Sequence, residues 1–520
     1  MKLNGKAAAL MAGVLVVPAL TTAAFASLGS PAAKVRDIPG CIEEQRATWP
    51  DGSAAPWQAC HSRSGIIGIE GSTAVSNQGT IFMAAGVPDK DGYASLARSR
   101  DGGRTWARVK LPREMWHIIA YAQMDRSTNR LFYKSILNSV PGSGPESASA
   151  NPIAYSDDEG ETWHVNRIGG ADGEPGQRGD MGAIFVGPPP PGIKTSGYPN
   201  VVYSCDFHPR ASASTSNVQC WRSLDGGKSF QVPDRANPTI VRATAPGCTA
   251  ADYIFPNRGT VGRNGTVYLP VNRCGQWVMG VSTDAAKTFT WNEISGAHGE
   301  RNDGVLADQQ KNYPGCAGSV AFAGCPEIYQ VYGQERLTQD ANGTLYFISN
   351  YNGTRMWLSK DSGKTWTGPA ALSPPGVQTV FTSIIAQGKG RLGLSYFGRK
   401  EGSQDWYGYM AIVENADNPR KRKIATASVS GDGNPLMPGR CCGSKKFRTP
   451  WMNMTGVPER SMQAIVGNYN IPEHGGLSFA PDGTLWATMF RDMTRDPNDS
   501  QSADYELVAG HMAPVTASRR

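Results

Sequence analysis

The sequence has few charged residues and lacks the motifs of several large enzyme classes. Asp, Glu, Lys and Arg make up only 18% of its 520 residues. It contains no Gly-rich phosphate-binding loop, no His-Glu-x-x-His and no Gly-x-Ser-x-Gly nucleophile elbow. These absences argue against P-loop enzymes, zinc proteases of that type and α/β-hydrolases. The cysteines show no zinc-finger spacing, so we expect neither a metal held by cysteine nor a cofactor.

Long apolar runs are confined to the N-terminus. Lys2 and Lys6 flank the start of an apolar stretch over 7–20, and Ala24-Phe25-Ala26 has the small residues of a cleavage site. We therefore predict a signal peptide at 1–26 and a secreted, extracellular protein. Because no later apolar run is long enough to cross a bilayer, the sequence predicts no membrane span.

The charge balance is mildly basic. The formal net charge is +7, which permits an anionic ligand without demanding one. The densest basic run, Arg420-Lys421-Arg422-Lys423, has no interleaved aromatic residues and is interpreted as a surface loop. No nucleic-acid partner is expected.

The sequence contains ten cysteines, which in an exported chain favour disulfides. Cysteines that are neighbours along the chain could each clip a local loop. We therefore predict four pairs: Cys41–Cys60, Cys205–Cys220, Cys248–Cys274 and Cys316–Cys325. The adjacent Cys441 and Cys442 could form a vicinal disulfide, or each could bond elsewhere.

The strongest positive signal is a turn motif, Ser-x-Asp-x-Gly-x-Thr-Trp, present five times with small variations. Its Asp and Ser side chains suit bonds to turn amides, its Gly suits a positive φ, and its aromatic residue begins the next strand. The aspartates are 57, 67, 59 and 77 residues apart, which indicates stacked supersecondary units. The copies begin at Ser99, Ser156, Ser223, Ser282 and Ser359.

A second signal, Asn-Gly-Thr or a close variant, is typical of tight β-hairpins. It occurs at 77–80, 264–266, 342–344 and 482–484. Combined with the first signal, it predicts an all-β fold of four-stranded units. The second strand of each unit is predicted at Thr80–Gly86, Arg130–Ile136, Asn200–Phe207, Thr266–Asn272, Thr344–Asn350, Arg391–Gly398 and Thr484–Arg491.

Through these five motif copies the chain resembles the sialidase-like β-propellers, whose repeat is called the Asp-box or bacterial neuraminidase repeat. The resemblance covers most of 61–513 and implies a propeller. We prefer seven blades, with six as the alternative. The Asp-boxes should lie on one face, away from the ligand site. An extension at 27–60 is expected to close the ring beside a last strand at Tyr505–His511, and 514–520 to form a tail.

The resemblance also implies a site at the opposite, central mouth. Arginine forks would hold a substrate carboxylate, a tyrosine with a glutamate partner would be the nucleophile, and an aspartate would be the acid/base. Placement favours Asp91 as the acid/base, with Asp89 as the alternative, and Glu335 beside Tyr396 as the nucleophile. The expected substrate-binding residues are Arg336, Arg399 and Arg491.

The chain departs from the family at one motif. Where the family has Arg-Ile-Pro, this sequence reads Ile69-Glu70-Gly71. The main interpretation is a secreted, monomeric propeller that acts on glycans, as an exo-glycosidase of anionic sugars. The alternative is a non-catalytic propeller that binds a glycan or a protein. A second alternative is a polysaccharide lyase, because Asp206, His208, Glu473 and His474 lie near strand ends and could pair as acid and base or hold a metal.

Overall fold

The computed structural model describes residues 36–37, 41–68, 71–85, 95–115, 119–136, 151–168, 183–208, 217–233, 241–242, 254–256, 258–273, 276–298, 336–350, 353–400, 403, 405–438, 475–493 and 505–515. The predicted signal peptide lies outside these ranges. Within them, no helix has the length and apolar character needed to cross a membrane.

The described chain is nearly all β, as predicted, with one short 3-10 helix at Arg113–Met115. The strands of the first half are β1 (Arg36–Asp37), β2 (Ile42–Thr48), β3 (Ala54–Ile67), β4 (Ser72–Val75), β5 (Ile81–Ala85), β6 (Ser95–Ser99), β7 (Thr105–Arg108), β8 (Ile119–Asp125), β9 (Arg130–Ile136), β10 (Asn151–Ser156), β11 (His164–Ile168), β12 (Ile184–Gly187), β13 (Val201–His208), β14 (Asn217–Ser223), β15 (Val241–Arg242) and β16 (Ile254–Pro256). Those of the second half are β17 (Thr260–Val261), β18 (Val267–Arg273), β19 (Gln276–Ser282), β20 (Thr290–His298), β21 (Leu337–Gln339), β22 (Leu345–Ser349), β23 (Arg355–Ser359), β24 (Thr367–Ala371), β25 (Val377–Gln387), β26 (Arg391–Lys400), β27 (Tyr407–Glu414), β28 (Lys423–Ser428), β29 (Leu477–Phe479), β30 (Leu485–Asp492) and β31 (Tyr505–Pro514).

The described strands form six antiparallel sheets, and most of their neighbours are consecutive in the chain. The sheet orders are β1-β7-β6-β5-β4, β11-β10-β9-β8, β12-β13-β14-β15, β16-β18-β19-β20 with β17 also on β18, β21-β22-β23-β24, and β25-β26-β27-β28-β2-β3-β31-β30-β29. The nine-stranded sheet contains two such groups joined through β2 and β3. In it, the last strand β31 pairs with both β30 and the N-terminal β3.

Seven strands at sheet edges line one cavity of about 200 Å³. These seven edge strands are β4, β8, β12, β17, β21, β25 and β29. Each of the seven contributes one or two side chains to the wall, such as Thr73 from β4 and Ser478 from β29. The edges of sheets that are distant in sequence therefore meet around a common space.

Burial follows strand position. Every residue of β5, next to an edge strand, is buried, whereas β28, three strands away from the edge strand β25, alternates buried and more accessible residues. A strand packed on both faces needs an apolar run, while a strand with one wet face needs alternation. The sequences Ile-Phe-Met-Ala-Ala and Lys-Ile-Ala-Thr-Ala-Ser meet these two requirements.

Four hairpins between an edge strand and its neighbour share one turn geometry. At the last of them the amide of Ala480 donates to the carbonyl of Thr484 at 2.7 Å, and Gly483 donates back to Ala480 at 3.0 Å. Gly483 has a φ of +88°, a backbone region that favours glycine. The other three, at 76–80, 262–266 and 340–344, have the same two bonds.

The five Ser-x-Asp turns make one set of side-chain hydrogen bonds. In the fifth copy, Ser359 Oγ donates to Asp361 Oδ1 at 2.8 Å and accepts from the amide of Gly363 at 2.9 Å. Thr365 donates to Asp361 through its amide at 2.9 Å and its hydroxyl at 2.6 Å. The matching bonds occur in the copies at 99–105, 156–162, 223–229 and 282–288. Each turn is thus closed by its own serine and aspartate.

The fourth copy has Ala286 where the others have glycine, and this alanine keeps a φ of +63°. A side chain in that region costs about 1–2 kcal/mol. Ala286 is buried. The carbonyl of the residue before it, Ala285, accepts a hydrogen bond at 3.0 Å from Nη1 of Arg222, which belongs to the preceding sheet. The surrounding contacts therefore hold the strained conformation.

Acid should weaken these turns, and Asp361→Asn tests this. Partial burial raises the pKa of Asp361, but hydrogen bonds from Thr365 and Ser359 outweigh it and lower the pKa to about 2. Because the folded pKa lies below the unfolded value near 4, the stabilisation is present above pH ~4 and is lost as pH falls towards 2. We expect Asp361→Asn to be less stable than the parent at pH 6 in urea unfolding. The difference should shrink from pH 4 downwards, and a pH-independent difference would contradict the assignment.

Two predicted disulfides are confirmed. Cys41–Cys60 joins the residue before β2 to the middle of β3, with Cα atoms 5.7 Å apart, and Cys205–Cys220 joins β13 to β14. The predicted pairs Cys248–Cys274 and Cys316–Cys325, and the adjacent Cys441 and Cys442, lie outside the described residues.

Candidate functional site

Six of the seven strands that pair with the edge strands carry a polar residue near the strand end. These second strands begin near the Ser-x-Asp turns, as Ile81 of β5 does opposite Ser99, and run towards the other end of the sheet. Within two residues of that end, six of them carry the residues that we call the strand-end set: Lys134, Asp206, Asn272, Asn350, Arg399 and Arg491. Polar side chains at equivalent positions of successive sheets make this end the candidate functional site.

Lys134 and Asp206 form an ion pair between two sheets. Lys134 Nζ donates to Asp206 Oδ1 in a short bond and to Ser204 Oγ at 2.8 Å. Ser204 Oγ also donates to Asp206, at 3.1 Å. Lys134 is 0% and Asp206 2% exposed, so water does not screen their attraction. The pair binds β9 to β13 just below the strand ends.

Arg336 lies beside the edge strand of its sheet and not on the second strand. It immediately precedes β21, and its carbonyl accepts from the amide of Ile348 at 2.9 Å. Its guanidinium is buried and lies 5.4 Å from the ring centroid of Trp277. A cation over an indole face is attracted by the ring quadrupole, which fixes its orientation.

Arg399 is held in the same manner. Its Nε donates to Gln378 Oε1 at 2.7 Å, and its Cζ lies 4.9 Å from the ring centroid of Trp406. It is buried near the end of β26. Arg336 and Arg399 are therefore both buried guanidinium groups placed against a tryptophan at the same end of their sheets.

Arg491 is half-buried near the end of β30 and is the register partner of Glu506. The Glu506 carboxylate accepts from Arg63 Nε at 2.8 Å and from the amide of Gly65 at 3.0 Å. Burial lowers the pKa of nearby His61, and the Arg491 charge lowers it further. This part of the site thus combines two arginines with one buried carboxylate.

The structure places Tyr396 inside a sheet. It is 1% exposed, and its ring stacks on Tyr409 with centroids 5.4 Å apart. Burial raises the pKa of Tyr396 above its ordinary value, which disfavours the ionised form that a nucleophile needs. The other predicted catalytic residues, Asp91 with its alternative Asp89 and Glu335, lie outside the described residues, as do Glu473 and His474.

Lys134 is a site residue that sequence reasoning missed. It lies in Arg-Leu-Phe-Tyr-Lys-Ser-Ile, where the lysine directly follows three apolar or aromatic residues. That position was a usable signal, because lysine is almost never fully buried without a partner. The sequence predicts Asp206 as an acid/base residue or a metal ligand. The structure shows it as the counter-ion of Lys134.

One group of described residues has metal-ligand spacing. The sulfurs of Cys41 and Cys60 and a ring nitrogen of His511 lie within 4.8 Å of one another. The two sulfurs are joined in a disulfide, and a metal needs thiolates. Burial also lowers the pKa of His511, to about 4, so its imidazole is neutral at pH 7. The trio is thus a disulfide packed against a neutral histidine.

No protein-family model and no curated protein matches the chain. Among solved structures, an intramolecular trans-sialidase from leech is 14% identical, covers 87% of this chain and 68% of its own, and has a TM-score of 0.38. The intramolecular trans-sialidase from Ruminococcus gnavus is 13% identical, over 86% and 94%, with a TM-score of 0.34. A GH74 enzyme from Niastella koreensis is 12% identical, over 88% and 72%, with a TM-score of 0.41. Likenesses of this size do not assign an activity to the chain.

Proposed function

We propose that the chain is a secreted, monomeric seven-bladed propeller that acts on glycans bearing an anionic group. The blade count is supported by the seven edge strands that line one cavity. The nine-stranded sheet would then be two blades joined by β2 and β3. Closure of the last blade by an N-terminal strand would leave no open sheet edge between the first and last blades.

The observation that carries the functional proposal is the arginines at the sheet ends opposite the Ser-x-Asp turns. Arg336 and Arg399 are pre-oriented by tryptophans, and Arg491 lies at the equivalent end of its own strand. Guanidinium forks match carboxylates in two-point hydrogen bonds. These three arginines would hold the acidic group of a sugar, while Asp91 and Glu335 would supply acid/base groups.

The main test is hydrolysis of sialosides and of acidic oligosaccharides by the mature chain and by Arg399→Ala. Loss of a charged hydrogen-bond pair costs about 1.5–3 kcal/mol. We therefore expect kcat/KM to fall about 10- to 150-fold. Arg391→Ala is the matched control, because Arg391 begins the same strand at its opposite end. Equal activity of the two variants would rule out this site, and Glu335→Gln then tests the acid/base assignment.

One observation favours the non-catalytic alternative. Tyr396, the expected nucleophile, is buried against Tyr409. If Tyr396→Phe binds acidic glycans as the parent does, and neither protein releases product, the chain is a binding propeller. An unsaturated product with strong ultraviolet absorbance would instead indicate the lyase.

A further inference from the structure

Three loops meet at the sheet ends that carry the Ser-x-Asp turns, in two sheets that pack against each other. They are the fifth turn at 359–365, the β25–β26 hairpin at 388–390 and the β27–β28 loop at 415–422. The Gly390 carbonyl accepts from the amide of Ala416 at 2.8 Å. Lys360 Nζ lies 4.0 Å from Asp417 Oδ2. The hairpin and the turn are therefore both in contact with the 415–422 loop.

Five cations on these loops are exposed. We call them the basic patch: Lys360, Lys364, Lys389, Arg420 and Lys421. The 415–422 loop is ordered by its own bonds, since the amide of Lys421 donates to the carbonyl of Asn418 at 3.0 Å. Arg422 turns inward, and its Nη2 donates to the carbonyl of Ala416 at 2.8 Å. One guanidinium of the basic run therefore closes the loop, while the cations before it face solvent from a fixed backbone.

The carboxylates around the basic patch are engaged within the fold. Asp361 is bonded inside its own turn, and Asp340 is buried. Glu414 accepts from Arg391 Nε at 2.9 Å. Among the residues that the structure describes, Asp417 is the one carboxylate within 4.0 Å of a patch cation. Most of the positive charge of the patch is therefore not neutralised by the protein.

The corresponding ends of the first two sheets differ, because their cations are paired. Arg100 Nη2 lies 3.1 Å from Glu161 Oε1, and Arg130 Nη2 lies 2.6 Å from Asp157 Oδ2. Charge at the sheet ends with the Ser-x-Asp turns is thus unevenly distributed around the protein. A cluster of unpaired cations on one part of a surface creates a positive potential that attracts anions.

We propose that the basic patch binds an acidic polysaccharide. Exposed cations supplied by three loops suit a polymer with repeated anionic groups, because successive groups can meet different cations. The three loops contain no aromatic residue, whereas proteins that bind single-stranded nucleic acid use aromatic side chains to stack the bases. The patch and the strand-end set lie at opposite ends of the sheets. This inference therefore goes beyond the proposed function and does not rest on it.

The test is binding of the full mature chain to immobilised heparin, polygalacturonate and dextran over a series of sodium chloride concentrations. We expect saturable binding to at least one of the two acidic polymers and none to neutral dextran. The affinity should fall steeply with salt, because cations that contact a polyanion release its counterions. Binding to polygalacturonate would show that carboxylates are sufficient, and binding to heparin alone that sulfate groups are required. Absence of saturable binding to both acidic polymers at the lowest salt concentration would overturn the proposal.

Two triple variants locate the binding surface. The patch variant combines Lys389→Gln, Arg420→Gln and Lys421→Gln, and it should raise Kd by about 10-fold or more and make the salt dependence shallower. The control variant removes three exposed cations elsewhere and changes the net charge equally: Arg104→Gln, Lys110→Gln and Lys194→Gln. It should change Kd by less than about 2-fold, because distant surface charges are screened.

Both triple variants should fold, since all six substitutions are on the surface, and their Tm values check this. Equal weakening by the two variants would show that net charge, and not the basic patch, drives binding. DNA provides the other comparison. If DNA binds as tightly as the acidic polymers and the patch variant weakens it equally, the assignment to a polysaccharide is wrong.

Discussion

Replacing Lys134 with methionine should lower the free energy of unfolding by about 3–5 kcal/mol, because it leaves a buried carboxylate without its counter-ion. Asp206 is almost fully buried. After the change, the described side chain that still donates a hydrogen bond to it is that of Ser204, which is neutral. A methionine fills much of the lysine's volume, so the loss should be electrostatic instead of a cavity effect. Urea unfolding of the two proteins at pH 7 measures it.

Two companion variants make this prediction specific. Lys134→Met combined with Asp206→Leu removes both charges and should recover most of the lost stability, since replacing a whole buried pair is often neutral. Lys360→Met is the exposed control: Lys360 Nζ lies 4.0 Å from Asp417 with 59% of its side chain exposed, so its loss should cost less than about 1 kcal/mol. If the double variant is no more stable than Lys134→Met, the unpaired charge of Asp206 is not the cause of the lost stability.

Gly476→Ala should destabilise the protein by about 3 kcal/mol or more, the upper range for overpacking a rigid site. A Cβ on Gly476 would lie 2.3 Å from the backbone nitrogen of Thr73 and 2.8 Å from the Cα of Ser72. Neither atom can rotate away. Thr73 Oγ1 also donates to the Gly476 carbonyl at 2.8 Å, so the methyl group would separate two strands that this bond holds together.

Gly475→Ala is the matched control for this change. A Cβ there would approach only the carbonyl oxygen of Thr488, at 3.1 Å, which a small shift can relieve. We expect it to cost under about 1 kcal/mol. Thermal unfolding compares the Tm values of the two variants. Equal values would show that β4 does not pack tightly against the start of β29.

Strand starts could be predicted from the sequence more reliably than strand ends. The hairpin glycines mark where a second strand begins, because few other residues adopt a positive φ: Gly483 precedes β30, which was predicted from Thr484 and begins at Leu485. The prediction for β26 ended at Gly398, whereas the strand continues to Lys400. Its end depends on pairing of Gln378 with Arg399 and of Val377 with Lys400, which local sequence does not encode.

The site could be predicted only in part. The positions of Arg399 and Arg491 near strand ends could be predicted because turns mark the starts of both strands. The pairing of Lys134 with Asp206 could not be predicted, because it depends on how two sheets face each other across 72 residues of sequence. The burial of Tyr396 could not be predicted either, because its stacking partner Tyr409 lies on the neighbouring strand of the same sheet.

The pairing of β3 with β31 has a consequence for the order in which the chain folds during synthesis. Cys60 and His511 are register partners although 451 residues separate them, so a ribosome releases β3 long before its partner exists. The β2–β3 hairpin is local and can form early, whereas its long-range pairing must wait for the end of the chain. This hairpin would then act as a template on which the last strand to be synthesised is added, and shortened chains that end before Tyr505 would keep an unpaired β3 edge.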